Sequence, residues 1–294
     1  MKDYKNIFEI KKEYIKGENI IRLLKDNEND NNSVNQVKIS YDLQSGQYLR
    51  RLSENLEFKI EYCEVLGRKI NQLGNFKSLL EVGIGEGTTL GVLKRVVKGL
   101  PDLYGGFDLS WSRLKYASSF FNELELDPKN LFVGDLFNIP LATNSVDIVY
   151  TSHSIEPNGG REKEALIEIA RIAKEYIILL EPAYELANEQ AKEHMKNHGY
   201  ITGLKKSAEE IGLNIIHHGL FELSANELNP TGITIIKINN NNAHDFSKKG
   251  FQFKCPHTNT ELSQINDHKF CTNEGLLTYP IIEKFPVFWK KMRY

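Results

Sequence analysis

Three cysteines in 294 residues, Cys63, Cys255 and Cys271, are too few and too odd in number for a disulfide scaffold. They fit a reducing compartment, and the expected location is the cytoplasm. No apolar run approaches the roughly 18 residues that a membrane span needs. The opening "MKDYKNIFEIKKEY" is charged throughout and lacks the hydrophobic region of a secretion signal. A dominant charge is missing too. Lys and Arg number 37 against 39 Asp and Glu, so neither nucleic acid nor an anionic membrane is an expected partner. What the chain does have is 40% hydrophobic residues, at a length that supports one full core and a smaller appendage.

Two asparagine-rich stretches, "KDNENDNNSVNQ" (25–36) and "NNNN" (239–242), carry no apolar periodicity and read as solvated linkers. They divide the chain into a helical segment and linker (1–38), a main domain (39–238), and a linker with a small β-rich domain (239–294). Before the first linker, Ile7, Ile10, Tyr14, Ile20, Ile21 and Leu24 suggest one or two short amphipathic helices. Between the linkers, the strand-like runs are "SLLEVG", "DLYGGFD", "NLFVGD", "VDIVYTS", "YIILLE", "NIIHHGLF" and "GITIIKI". Helical stretches such as "TTLGVLKRVVKG", "WSRLKYASSFFNELE" and "EKEALIEIARIAK" alternate with the first five. That pattern predicts an α/β fold: a doubly wound, mostly parallel seven-stranded sheet with helices on both faces. Only "ELSANELNPT" separates the last two strands, so they are expected to pair as an antiparallel hairpin at one edge.

The chemistry concentrates in "SLLEVGIGEGTTLGVL" (78–93). Gly83, Gly85 and Gly87 follow a buried strand, at the carboxyl end where doubly wound folds bind ligands. Glycine there lets backbone approach a ligand without a Cβ clash. The next strand ends in Asp108, placed for the two hydroxyls of a ribose, and the third ends at Asp135, where an adenine edge could be read. A dinucleotide reading fails on spacing, because G-x-G-x-x-G is absent and Glu86 would repel a pyrophosphate.

The sequence E-x-G-x-G-x-G, then an aspartate, then "GDLF", then the acid-led strand "SVDIVY" resembles the Rossmann-like class of S-adenosylmethionine-dependent methyltransferases, over roughly residues 40–238. The resemblance implies S-adenosylmethionine as cofactor. It implies that Glu81, Gly83 and Gly85 cradle the methionine end, that Asp108 and Leu109 hold the ribose, and that Asp135 and Leu136 flank the adenine. A further echo is "SYDLQSGQYLRRL" (40–52), because many small-molecule methyltransferases close an aromatic and polar helix over the cofactor. Tyr41, Gln44 and Tyr48 share one face of such a helix.

The fourth strand runs into "TSHSIEPNGGREKE". His153 and Glu156 are the candidate general bases there, with Asn158 to orient a substrate. After the fifth strand, "EPAYELANEQAKEHMKNHGY" supplies a substrate wall, with Glu181, Tyr184 and His198 as candidate contacts. No metal is expected, since methyl transfer needs none. These acid-rich and amide-rich loops suit a small polar metabolite such as a sugar or sugar nucleotide.

The tail contains "CP", a second cysteine and "GLLTYPIIEKFPVF". It resembles a small zinc-ribbon-like domain found with some methyltransferases, either fused or as a separate activating partner of enzymes that modify tRNA and translation factors. Two of the four thiolate positions are Thr258 and Glu274 here, so a metal-free lobe is expected. That echo raises a second reading, an RNA or translation-factor methyltransferase, opposed by an acidic main domain. A third reading is a binding protein that keeps the cofactor and has lost catalysis. Homo-oligomerisation is left open, since the linker could let the first helices swap between subunits.

Overall fold

Ser78–Val82, the strand that leads into the glycines, is buried along its whole length and lies third from one edge of a seven-stranded sheet. The computed structural model describes residues 7–16, 20–24, 32–238 and 250–289. The "NNNN" linker and most of the first asparagine-rich stretch lie outside the described residues.

Among the described residues, five helices precede the sheet: α1 (Ile7–Ile15), α2 (Ile20–Leu24), α3 (Val34–Leu43), α4 (Gln47–Glu54) and α5 (Leu56–Leu73). Ser33 starts α3 with a reciprocal capping box, its hydroxyl accepting the Gln36 amide while Gln36 accepts the Ser33 amide. The stretch 40–52 is not one helix. Gly46, at φ +92°, breaks it, so Tyr41 lies on α3 and Tyr48 on α4. Their shared helical face, expected from spacing, does not exist, yet the bend brings both rings onto Arg113.

The main sheet alternates as expected. Its elements are β1 (Ser78–Val82), α6 (Thr88–Val96), β2 (Leu103–Asp108), α7 (Trp111–Glu123), β3 (Leu131–Val133), β4 (Val146–Ser152), α8 (Glu162–Ile172) and β5 (Ala173–Pro182). Then follow α9 (Glu189–Asn197), α10 (Leu204–Glu210), β6 (Asn214–Leu220) and β7 (Thr231–Lys237). The strand order is β3-β2-β1-β4-β5-β7-β6, with β7 antiparallel to both of its neighbours and β6 at the edge. The first five strands are parallel because each is separated from the next in sequence by enough chain for a crossover. The seven-residue strand β4 is buried at its first six positions, which is why it reads as a nearly unbroken apolar run. Strand order reverses between β1 and β4, and that switch point fixes where a ligand binds.

Four further strands, β8 (Leu262–Asn266), β9 (Lys269–Thr272), β10 (Thr278–Ile282) and β11 (Phe285–Pro286), form a small antiparallel sheet. It covers the open edge of the main sheet beside β3. Val287 lies in parallel register with Val133, and the Phe288 amide donates to the Val133 carbonyl at 3.1 Å. Leu141 and Phe253 make a second, antiparallel bridge. Phe132 of the main sheet packs against Phe253 and Phe288, so the two sheets share one core. An unpaired β3 would expose a row of backbone groups, and the lobe removes that liability. Inside the lobe, Cys255 Sγ lies 3.1 Å from the Tyr279 hydroxyl, while Cys271 sits in β9. Among the described residues no group of three or more metal-type ligands occurs.

Candidate active site

A cavity of about 390 Å³ opens at the carboxyl ends of β1, β2 and β4, directly at the switch point. Its floor is the glycine turn. Gly83, Gly85 and Gly87 all adopt positive φ (68°, 55° and 73°). Their constraints differ. A Cβ on Gly83 would lie 2.3 Å from the Ser154 Cβ, and one on Gly87 would lie 2.8 Å from Phe121. A Cβ on Gly85 would meet nothing nearer than an Arg113 nitrogen at 3.6 Å. Two glycines are therefore needed for packing, whereas Gly85 leaves room for something that is not protein.

Three carboxylates fix this turn. Glu81, 2% exposed, accepts the Leu90 amide (3.0 Å) and the Tyr150 hydroxyl (2.8 Å), both on Oε2. Burial raises its pKa to about 7, against the lowering effect of Tyr150 and Lys59. Asp108 accepts the amides of Gly85 (2.9 Å) and Ser110 (2.8 Å), one on each oxygen, which ties the tip of β2 to the turn. Each oxygen keeps a further lone-pair direction. Glu86 reaches away from the sheet and accepts the Gly46 and Leu49 amides, which opens α4 in place of a local cap. Asp135 Oδ1 accepts the Phe137 amide at 2.9 Å, holding the loop after β3.

The roof comes from α3, α4 and α5. The Arg113 guanidinium carbon lies over the Tyr41 and Tyr48 rings, 4.0 and 4.6 Å from their centres. Lys59, Phe58 and Tyr62 of α5 complete that wall with Val34 and Val37 of α3.

At the end of β4, His153 holds φ +55°, a conformation that costs a non-glycine residue about 1–2 kcal/mol. Its Nδ1 lies 2.5 Å from Glu156 Oε2 and its Nε2 lies 2.8 Å from Thr231 Oγ1. Burial works to lower the His153 pKa, but the charge and hydrogen bond of Glu156 outweigh it and the net shift is upward. Glu181 organises this loop. Its buried carboxylate accepts the amides of Ser154, Ile155 and Glu156 at 3.0, 3.1 and 3.0 Å.

The cavity thus brings together Tyr41, Tyr48, Glu81, Gly83, Gly85, Asp108, Leu109, Asp135, Leu136, His153, Glu156 and Asn158. Glu181, Tyr184 and His198, expected to contact substrate, do not line it. The Glu181 carboxylate is taken up by backbone amides. Tyr184 sits in a short 3-10 turn under Lys196, whose Nζ is 5.6 Å from the ring. His198 closes α9, its Nδ1 2.8 Å from the His194 carbonyl. Sequence reasoning passed over Lys59, Arg113, Asn226, Asn229 and Thr231 as cavity residues. Lys59 carried a readable signal, because it shares a helical face with Cys63 and Leu66, both fully buried. The asparagines of the β6–β7 loop carried none.

A seven-stranded sheet with its last strand pair antiparallel, a glycine turn after β1 and an aspartate at the tip of β2 define the class I fold of S-adenosylmethionine-dependent methyltransferases. Residues 80–179, from within β1 to within β5, match the family model described as a methyltransferase domain. Among solved structures, the chain is similar to an S-adenosylmethionine-dependent methyltransferase from Aquifex aeolicus, at 19% identity and TM-score 0.43, over 58% of this chain and 88% of that one. A magnesium protoporphyrin IX methyltransferase from Synechocystis with bound S-adenosylhomocysteine aligns at 15% identity and TM-score 0.45, over 70% and 88%. A geranyl diphosphate C-methyltransferase from Streptomyces coelicolor aligns at 12% and 0.43, over 56% and 74%. None of the curated proteins compared matches the chain by sequence.

The residues present fit S-adenosylmethionine. Five carboxylates line the cavity (Glu81, Glu86, Asp108, Asp135 and Glu156) against two fixed cations, Lys59 and Arg113. That balance receives a sulfonium and an ammonium and repels a pyrophosphate. Gly85 supplies the space beside them.

Proposed function

We propose that the protein methylates a hydroxyl group on a small polar metabolite, of which a simple sugar is the best match. The observation that carries this reading is the His153–Glu156 pair, 2.5 Å apart in the cavity wall. With the carboxylate on Nδ1, a neutral His153 presents the Nε2 lone pair, which is what removal of a hydroxyl proton requires. Thr231, at 2.8 Å, occupies that nitrogen until a substrate hydroxyl displaces it. Hydroxyl oxygens are poor nucleophiles until deprotonated, whereas a neutral amine would need no such base.

S-adenosylmethionine, when bound, supplies an electrophilic methyl group on sulfur. Glu81, Asp108 and Asp135 would hold its amino-acid, ribose and adenine parts, and Tyr41 and Tyr48 would screen it from water. Beyond that cradle, Asn158, Asn226, Asn229 and Thr231 offer amide and hydroxyl partners, and Phe58, Tyr62, Val34 and Val37 offer apolar surface. A sugar presents both characters, hydroxyls at its rim and C–H groups on its faces. The acidic cavity disfavours a diphosphate, so the sugar itself fits better than a sugar nucleotide.

The test is release of S-adenosylhomocysteine by the purified protein over a panel of sugars, nucleotide sugars, phenols and amines, repeated with His153→Asn. Turnover of a hydroxylated acceptor should fall about 10²–10⁴-fold in the variant, with cofactor binding retained. Turnover confined to amines, or unchanged by the substitution, would defeat the proposal.

A further inference from the structure

Lys59 is a charged side chain facing the cavity that the reading above does not use. It lies in the first turn of α5, half-buried, with its ammonium 2.7 Å from the Thr89 hydroxyl and 4.8 Å from the Tyr62 ring centre. Among the described residues no carboxylate comes within ion-pair distance of it. The other fixed cation of the cavity is differently placed, since Arg113 is 4% exposed, lies over the Tyr41 and Tyr48 rings and donates its Nε–H to the Tyr41 carbonyl. Lys59 therefore carries a positive charge that the protein leaves available.

Its surroundings say what would complete it. Thr89 lies in the first turn of α6, next to the glycine turn, and α6 begins at Gly87 with no side-chain cap. Glu81 is close enough to Lys59 for its carboxyl to feel that charge. Both hydrogen bonds to Glu81 fall on Oε2, so Oε1 has no described partner. One wall thus presents a carboxyl group with an open oxygen beside a cation that, among the described residues, has no carboxylate within ion-pair distance. A free α-amino acid carries the mirror image of that pair, an ammonium and a carboxylate on one carbon.

We propose that Lys59 binds the carboxylate of the cofactor's amino-acid end while Glu81 binds its ammonium, so that the two form a clamp specific for a zwitterion. This rests on the methyltransferase reading and adds a binding residue to it. The clamp explains why a lysine interrupts the buried face of α5 and why a carboxylate is held at the end of β1. It also separates ligands by their tails. S-adenosylhomocysteine carries the zwitterion, and 5′-methylthioadenosine has the same nucleoside and sulfur without it.

Isothermal titration of both ligands into wild type, Lys59→Met and Lys59→Arg tests the clamp. Methionine keeps the length and apolar stem of the side chain and removes only the charge. S-adenosylhomocysteine binding should weaken at least 10-fold in Lys59→Met and recover largely in Lys59→Arg, while 5′-methylthioadenosine affinity stays within about twofold throughout. Unchanged S-adenosylhomocysteine affinity in Lys59→Met would overturn the assignment and move the lysine to the acceptor. Equal weakening of both ligands would also overturn it, by showing a structural role. Wild type that binds neither ligand would refute the cofactor cradle itself, a result distinct from either.

Discussion

Glu86, in the middle of the glycine turn, accepts the backbone amides of Gly46 and Leu49 at 2.7 and 2.8 Å, 40 and 37 residues back in the chain. A carboxylate among glycines thus ends up capping a helix of the roof. Helix α4 has no side-chain cap of its own, so the glycine turn also orders the segment above it. Glu86→Ala should cost about 1 kcal/mol of stability. Hydrogen exchange at residues 46–50 should accelerate more than exchange in β1, and cofactor affinity should fall. Glu86→Gln keeps an acceptor oxygen and should lose less. Exchange that accelerates equally in β1 and α4 would argue against a local cap.

The glycines separate by what surrounds them. Gly83→Ala places a methyl 2.3 Å from the Ser154 Cβ at φ +68° and should lower the melting temperature by several degrees. Gly85→Ala bears the strain of φ +55° but no clash, because its methyl enters the cavity. It should fold with a loss of about 1 kcal/mol and still bind S-adenosylmethionine at least tenfold more weakly. Thermal melts and titrations of both variants decide the point, and a Gly85→Ala protein with native affinity would place the cofactor elsewhere.

Glu81 links folding to pH. Its ordinary value of 4.5 rises to about 7 in the fold, burial being the main cause. Between those two values the folded state binds the extra proton, so stability contributed through Glu81 falls as pH rises through that window and levels off above it. The amplitude has an upper bound of roughly 3.5 kcal/mol, at about 1.4 kcal/mol per unit. Glu81→Gln removes the titration. The stability difference between variant and wild type should therefore grow from pH 4.5 to 7 in the variant's favour, measured by urea unfolding without ligand. A difference that is flat with pH would count against it.

The fold was legible because its strands are buried on both faces, and such strands read as apolar runs whatever their neighbours. The edge hairpin was legible from the short connection between β6 and β7. The bend at Gly46 was not, because glycine between polar residues also occurs inside helices, and only the Glu86 cap decides for a break. Glu181 misled for a related reason. A carboxylate after a strand at the ligand end reads as a substrate contact, but three backbone amides of a loop 25 to 27 residues earlier had already claimed it. Lysine on a buried helical face was a visible signal at Lys59 whose meaning needed the neighbouring Glu81.

Docking of the C-terminal lobe predicts one unfolding unit rather than two. Phe288 is 1% exposed, donates its amide to Val133, and packs on Phe132, Phe253, Phe270 and Tyr279. Lys38 of α3 sits 3.5 Å over the Trp289 ring, so the lobe also reaches the helix that lines the cavity. Phe288→Ala should cost about 3–5 kcal/mol. Probes in the lobe and in the main sheet should shift together during denaturation. Two separated transitions would show that the lobe folds by itself.

With His153 as the proposed base, its pairing with Glu156 predicts the pH dependence of turnover. Glu156 holds the imidazole pKa above its ordinary 6.5 by charge and hydrogen bond, more than burial lowers it. A base works only when unprotonated, so kcat/KM should rise with pH along a limb centred above 6.5. Glu156→Gln removes the charge that raises the histidine and leaves the burial that lowers it. The limb should then move below 6.5, and the plateau should fall because Nδ1 loses the carboxylate that orients the ring. The same variant has a stability signature of fixed sign. With the folded pKa raised, protonated His153 stabilises wild type below pH 6.5, and that contribution disappears as pH rises through the folded value. In Glu156→Gln the acid-side advantage should vanish. Rate profiles of the two proteins over pH 5–9, each with saturating cofactor, measure the shift. A limb that stays in place while the rate falls would show that Glu156 orients the ring without tuning its proton.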